Sequence, residues 1–182
     1  MSSTDDAPAV MSKDSDDRPD APGGSGSASA HTETINKPRS EVYAFWRDFT
    51  NLPRVMENVV SIEVKDDRTS HWKVAGPNGP YEWDATITED EPDRLIAWQS
   101  AEGADVAHRG RITFRDAPPG RGTWVTATIA YAPPAGFIGK AVAKLTQKEP
   151  SIQARRDMRR FKQFLETGEI ATTTPPNRKP DS

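Results

Sequence analysis

The sequence predicts an α+β fold in which seven antiparallel strands curve around one long C-terminal helix. Three observations carry this. Ser151 to Thr167 reads as a helix of about 17 residues, roughly 25 Å long at 1.5 Å per residue. Pro150 suits its first turn, Gly168 suits its left-handed cap, and Ala154, Met158, Phe161 and Leu165 form one apolar stripe. The segments between 60 and 131 alternate apolar and polar residues and are separated by Gly/Pro turns, which is the mark of an antiparallel meander. A helix with one apolar stripe needs a sheet to cover, and a sheet with one apolar face needs a helix.

The chain begins with a segment unlike the rest. Residues 1–30 hold no aromatic residue, and six aspartates face only Lys13 and Arg18, a net of −4. Such a composition cannot bury enough apolar surface to offset chain entropy, so 1–30 is expected to be a disordered acidic tail ending in a Gly/Ser linker. The whole chain carries −3, which leaves the remainder near +1 and gives no argument for nucleic acid. Cysteine is absent, so disulfides and thiolate chemistry are excluded, and the expected location is the cytoplasm. The start lacks a basic region followed by an apolar core, so no signal peptide is expected, nor is any membrane-spanning segment.

The folded domain is expected over 31–171. His31 to Asn36 reads as the first strand. Two short helices follow, one capped by Ser40 with Val42, Phe45, Trp46 and Phe49 on one face, the next capped by Asn51. Strands are then expected at 60–65, 71–75, 81–88, 95–100, 110–115 and 123–131, with Val60, Ile62 and Val64 of the first of these facing inward. Phe137 to Leu145 has the spacing of a short amphipathic helix, and 172–182, with three prolines and no core residue, is expected to be a second disordered tail.

Several stretches taken together resemble a known family. They are Ile35-Asn36-Lys37-Pro38 leading to Val42-Tyr43-Ala44-Phe45-Trp46, then Asn51-Leu52-Pro53, His71-Trp72, Glu82-Trp83-Asp84-Ala85, Ile96-Ala97-Trp98, Tyr131-Ala132-Pro133-Pro134, and Arg159-Arg160-Phe161-Lys162 with Glu166-Thr167-Gly168-Glu169. The ensemble resembles the START/Bet v 1-like (SRPBCC) superfamily, in its bacterial polyketide cyclase/dehydrase-like or coenzyme-Q-binding-protein-like branch. The resemblance implies a helix-grip fold over about 31–171. It brings no catalytic residue and no cofactor, and a fold does not fix a function.

The residues suggest where function would lie. Trp83, Trp98, Phe114 and Tyr131 fall in phase with the apolar faces of their strands, and Met158 and Phe161 lie on the helix stripe. They are the expected ligand-binding residues of an apolar pocket, with a filled core as the plainer alternative. Trp124 is out of phase and is expected on the outer face. His71 should point outward, as should Glu82 and Asp84, and Asp105, His108 and Arg109 should form a polar group at a hairpin. On this reading no carboxylate, histidine or lysine enters the pocket, so no catalytic residue and no metal site is expected. Arg155, Arg156, Arg159, Arg160 and Lys162 form a basic helix face, suited to peripheral contact with an anionic membrane or to plain solvation. Three functions stay open: binding of a hydrophobic small molecule (lipid, quinone or polyketide-like aromatic), an aromatase/cyclase or dehydratase, and an interaction module with a filled core.

Overall fold

The computed structural model describes residues 27–76, 79–104, 107–132 and 150–170. Strand β1 (Ser27–Ile35) is followed by helix α1 (Arg39–Arg47) and a 3₁₀ helix (Phe49–Arg54). The meander follows: β2 (Val59–Val64), β3 (Thr69–Val74), β4 (Tyr81–Glu91), β5 (Leu95–Ser100), β6 (Ala107–Asp116) and β7 (Thr123–Ala132). Helix α2 (Pro150–Thr167) closes the described chain. All pairings are antiparallel, in the order β1-β7-β6-β5-β4-β3-β2, so the first two strands stand at opposite edges and the two short helices carry the chain across. The expected tails and the expected helix at 137–145 lie outside the described residues.

The sheet's inner face and the helices share one core, with Val42, Leu52, Ile96, Ile112, Val125 and Phe161 among its buried members. Phe161 lies 5.3 Å from Trp46 and 5.4 Å from Phe45, centroid to centroid, so α2 packs on α1 as well as over the sheet. At its C-terminus Gly168 takes φ 78° and donates its N–H to Phe164 O, the left-handed cap its position implies.

Several elements differ from the sequence expectation. β1 begins at Ser27 and not His31, because its backbone pairs with β7 as far as Tyr131. The 3₁₀ helix starts at Phe49, with Asp48 and not Asn51 accepting at its cap, and Ser40 makes no cap at α1. Val60 and Val64 do not enter the core; they are 56% and 48% exposed. The β2–β3 register shifts between Val59 and Ser61, and this bulge breaks the alternation and turns Val60 out. Val64 sits at the edge strand's far end, where it lines an open cleft with Tyr43 and Arg47 of α1 and with Asp66 and Asp67. Leu95 and Ala97 are buried although they face away from the core. Glu89 and Arg111 flank Ala97 on the neighbouring strands and form a 2.6 Å ion pair, which closes over it.

Candidate functional site

The inner wall is built by cross-strand register. Trp72 on β3 stands opposite Trp83 on β4, and Trp98 on β5 stands opposite Gly110 on β6. Trp72 lies nearly parallel to both other indoles, at 6.4 Å from Trp83 and 6.3 Å from Trp98 with interplanar angles of 12° and 11°. Two small residues permit this. Ala85 on β4 is buried between the strands that carry Trp72 and Trp98. Gly110 leaves the space that Trp98 fills, since a Cβ there would stand 2.1 Å from Trp98 Cζ2. Phe49 closes the group, edge-on to Trp72 and to Trp98 at 5.6 Å each.

His108 belongs to this wall. It precedes Gly110 by two residues, so the strand period puts it on the face of Ile112 and Phe114. Its ring meets Trp83 edge-on at 4.9 Å and Trp72 at 6.2 Å. Burial pushes its pKa down to about 4, because the charged form is desolvated. The imidazole is therefore neutral near pH 7. This corrects the expected polar group at the hairpin: His108 points in, Arg109 is exposed, and Asp105 lies outside the described residues.

The indole N–H groups differ in their partners. Trp72 Nε1 donates to Ser70 Oγ at 2.9 Å. Trp83 Nε1 and Trp98 Nε1 are buried and have no acceptor among the described residues, as is Trp46 Nε1 beside Phe161. A buried donor left unpaired costs about 1–3 kcal/mol. Two such donors in one aromatic wall are a concentrated cost, of the kind an acceptor group would relieve.

Five of the six residues expected to line one pocket are buried in the one shared core, in three parts of it. Trp83 and Trp98 are in the wall. Phe114 is fully buried and meets Tyr43 edge-on at 5.8 Å. Met158 and Phe161 face the core from α2, where Phe161 packs on α1. Of Tyr131 the backbone is described, and it pairs with His108. Phe49 and His108 are the unexpected members of the wall, and Trp72, inward by the period of its strand, stands against both expected indoles.

Helix α2 brings a second ionisable group inward. Asp157 accepts from the Glu57 N–H at 3.2 Å and from Gln153 Nε2 at 2.9 Å. Burial raises its pKa to about 6 against these bonds and nearby Arg160. Arg160 is therefore half-buried beside Asp157 and not part of the solvated basic face, and Lys162 is held by Thr34 O and Glu166. On the outer face His71 pairs with Asp84 at 2.8 Å, and that hydrogen bond raises its pKa; Lys65 and Lys73 complete the network with Asp84 and Glu82. α1 is pinned to β4 by Tyr43 and Arg47, which both donate to Asp90. No group of three metal-ligating side chains occurs among the described residues, and none of their helices is long and apolar enough to cross a membrane.

Comparison with known proteins places this geometry. The model of the family described as polyketide cyclase / dehydrase and lipid transport matches residues 35–162, well over half of the chain. The chain belongs to that family. This polyketide cyclase/dehydrase family member is 30% identical over 135 residues to an uncharacterized 17.2 kDa Streptomyces lincolnensis protein from the melC2-rnhH intergenic region, covering 72% of this chain and 85% of that one. A crystal structure from Deinococcus radiodurans is similar at 39% identity and a TM-score of 0.66, over 79% of this chain and 99% of that one. The Zhui aromatase/cyclase of Streptomyces sp. R1128 shares the fold at 14% identity and a TM-score of 0.65, over 80% and 99% of the two chains. The seven-stranded sheet with its C-terminal helix is thus the helix-grip arrangement of those neighbours. Family and fold together support either a hydrophobic ligand-binding or a polyketide-cyclase role.

Proposed function

We propose that this chain binds a flat, apolar small molecule bearing carbonyl oxygens, such as a quinone or a polyketide-like aromatic, and that it binds without transforming it. The observation that carries this is the pair of buried indole donors, Trp83 Nε1 and Trp98 Nε1, with no acceptor among the described residues. An aromatic wall with a few polar groups suits a flat ligand, and N–H donors suit its carbonyls. His108 adds a neutral imidazole to the same wall.

His108 also supports a second reading, because it is an acid–base group inside the fold. A cyclase that removes a proton next to a carbonyl needs a base tuned near the working pH. At about 4 the imidazole is a weak base for that task. The binding reading is therefore preferred.

The test titrates the wild-type chain with 1,4-naphthoquinone and follows tryptophan emission. Saturable quenching is expected, weakened about 3–10-fold in Trp98→Phe, the loss of one neutral hydrogen bond. Naphthalene, which has no carbonyl, should bind more weakly. Quenching that never saturates, or equal binding of naphthalene, contradicts the reading. Turnover of a polyketide-type mimic that vanishes in His108→Leu while quinone binding persists moves the chain to the enzymes.

A further inference from the structure

The arginine face of α2 is unpartnered where it is most basic. Arg155, Arg156 and Arg159 are exposed, and no carboxylate among the described residues pairs with them. Arg155, Arg159, Lys162 and Glu166 are spaced four, three and four residues apart, so they share one stripe of the helix. The later half of that stripe lies against edge strand β1. Lys162 Nζ donates to Thr34 O, and Glu166 Oε1 accepts from Asn36 N–H at 2.8 Å. Thr34 meets residue 162 and Asn36 meets residue 166, so β1 and α2 run in the same direction. Rises of about 3.3 Å per strand residue and 1.5 Å per helix residue then put Arg155 level with His31, and Ser27 just before the start of the helix. The chain upstream of Ser27 therefore joins the fold at the end of α2 that carries the free arginines.

That upstream segment is the acidic one. Asp14, Asp16, Asp17 and Asp20 precede Ser27 by 7–13 residues, with Gly23-Gly24-Ser25-Gly26 between. A Gly-rich chain of such lengths spans roughly 15–20 Å root-mean-square, enough to reach Arg155 and Arg159. The first turn of α2 contains no acidic residue of its own, and the helix dipole favours an anion at that end. We propose that the acidic segment Asp14–Asp20 docks on the Arg155–Arg156–Arg159 face of its own chain and shields that face from other anions. Each ion pair is weak at a surface, but tethering gives an effective concentration near millimolar, and several pairs form together.

The test uses the full chain, which has no native cysteine. A spin label on Ser15→Cys should broaden the amide signals of 152–162 and leave the β2–β3 end untouched. The effect should fade at about 0.5 M salt, where the Debye length falls to about 4 Å. It should be absent in a chain with Asp14, Asp16, Asp17 and Asp20 changed to Asn, which leaves the folded domain intact. No broadening, uniform broadening, or broadening that persists in Arg155→Glu/Arg159→Glu overturns the proposal. So does broadening between a labelled copy and a separate isotope-labelled copy. Sedimentation of the wild-type chain with phosphatidylglycerol vesicles, with no tail effect at the helix, gives the face to an anionic surface and overturns it too.

Discussion

Gly110→Ala tests the aromatic wall at its tightest point. The added Cβ would lie 2.1 Å from Trp98 Cζ2, 2.3 Å from Cε2 and 2.8 Å from Cη2. Non-bonded carbons prefer about 3.5–4 Å, so the indole must move by about 1.5 Å. It is not free to do so: Trp72 lies nearly parallel at 6.3 Å and Phe49 abuts it at 5.6 Å. Overpacking of a closed core costs about 1–3 kcal/mol, and a ring held between two other rings belongs at the upper end. Urea unfolding should show a stability loss near 3 kcal/mol with an unchanged slope, or a Tm lower by about 10 °C. The decisive arm is the double mutant. Trp98→Ala alone should cost about 3–5 kcal/mol, and in that background Gly110→Ala should cost close to nothing. Additive losses would mean that Trp98 does not lie across Gly110, and the account of the wall would fail.

Phe161→Ala should cost about 3–5 kcal/mol as a truncation of a fully buried ring, whereas Arg156→Ala on the exposed face should stay within about 0.5 kcal/mol; equal losses would show the helix turned otherwise. His108 has a folded pKa of about 4, below its ordinary value of 6.5, so its contribution is intact above pH 6.5 and lost as pH falls toward 4. His108→Leu should remove that acid sensitivity, about 3 kcal/mol across the window, and a pH profile parallel to wild type would refute it. Asp157 has the opposite sign: its folded pKa of about 6 exceeds 3.8, so the proton-linked stability is full below 3.8 and lost as pH rises through 6. Asp157→Asn keeps both accepted hydrogen bonds and should gain up to about 3 kcal/mol over wild type above pH 6 and little at pH 4, read by urea midpoints at the two pH values.

The sheet and the last helix were legible because their periods are long and clean. Trp83, Ala85 and Ile87 alternate over β4 without interruption, and all three are buried. Period failed where one residue was inserted: the bulge before Ser61 leaves no mark in Val60-Ser61-Ile62, which alternates as well as any strand. His108 was missed for a related reason. Gly110 has no side chain and looked like a strand start, so the phase of Ile112 and Phe114 was not carried back across it. A glycine within an alternating run is itself a sign of close approach, and here the approaching group is Trp98. The basic face of α2 was read from charge alone. Helical spacing already sets Arg160 beside Asp157, but sequence could not show that both are part-buried, which depends on the helix's roll against its neighbours, or that Lys162 is spent on β1, a contact 128 residues away.

The central claim is that Trp83 and Trp98 offer their N–H groups to a bound carbonyl. The chain has five tryptophans, so a ¹H–¹⁵N spectrum should resolve five indole signals, assignable by single Trp→Phe variants. On titration with 1,4-naphthoquinone the signals of Trp83 and Trp98 should move downfield together and saturate at one equivalent, while that of Trp124 on the outer face stays fixed. Saturable binding that leaves both signals in place, or a shift confined to Trp124, would contradict the account.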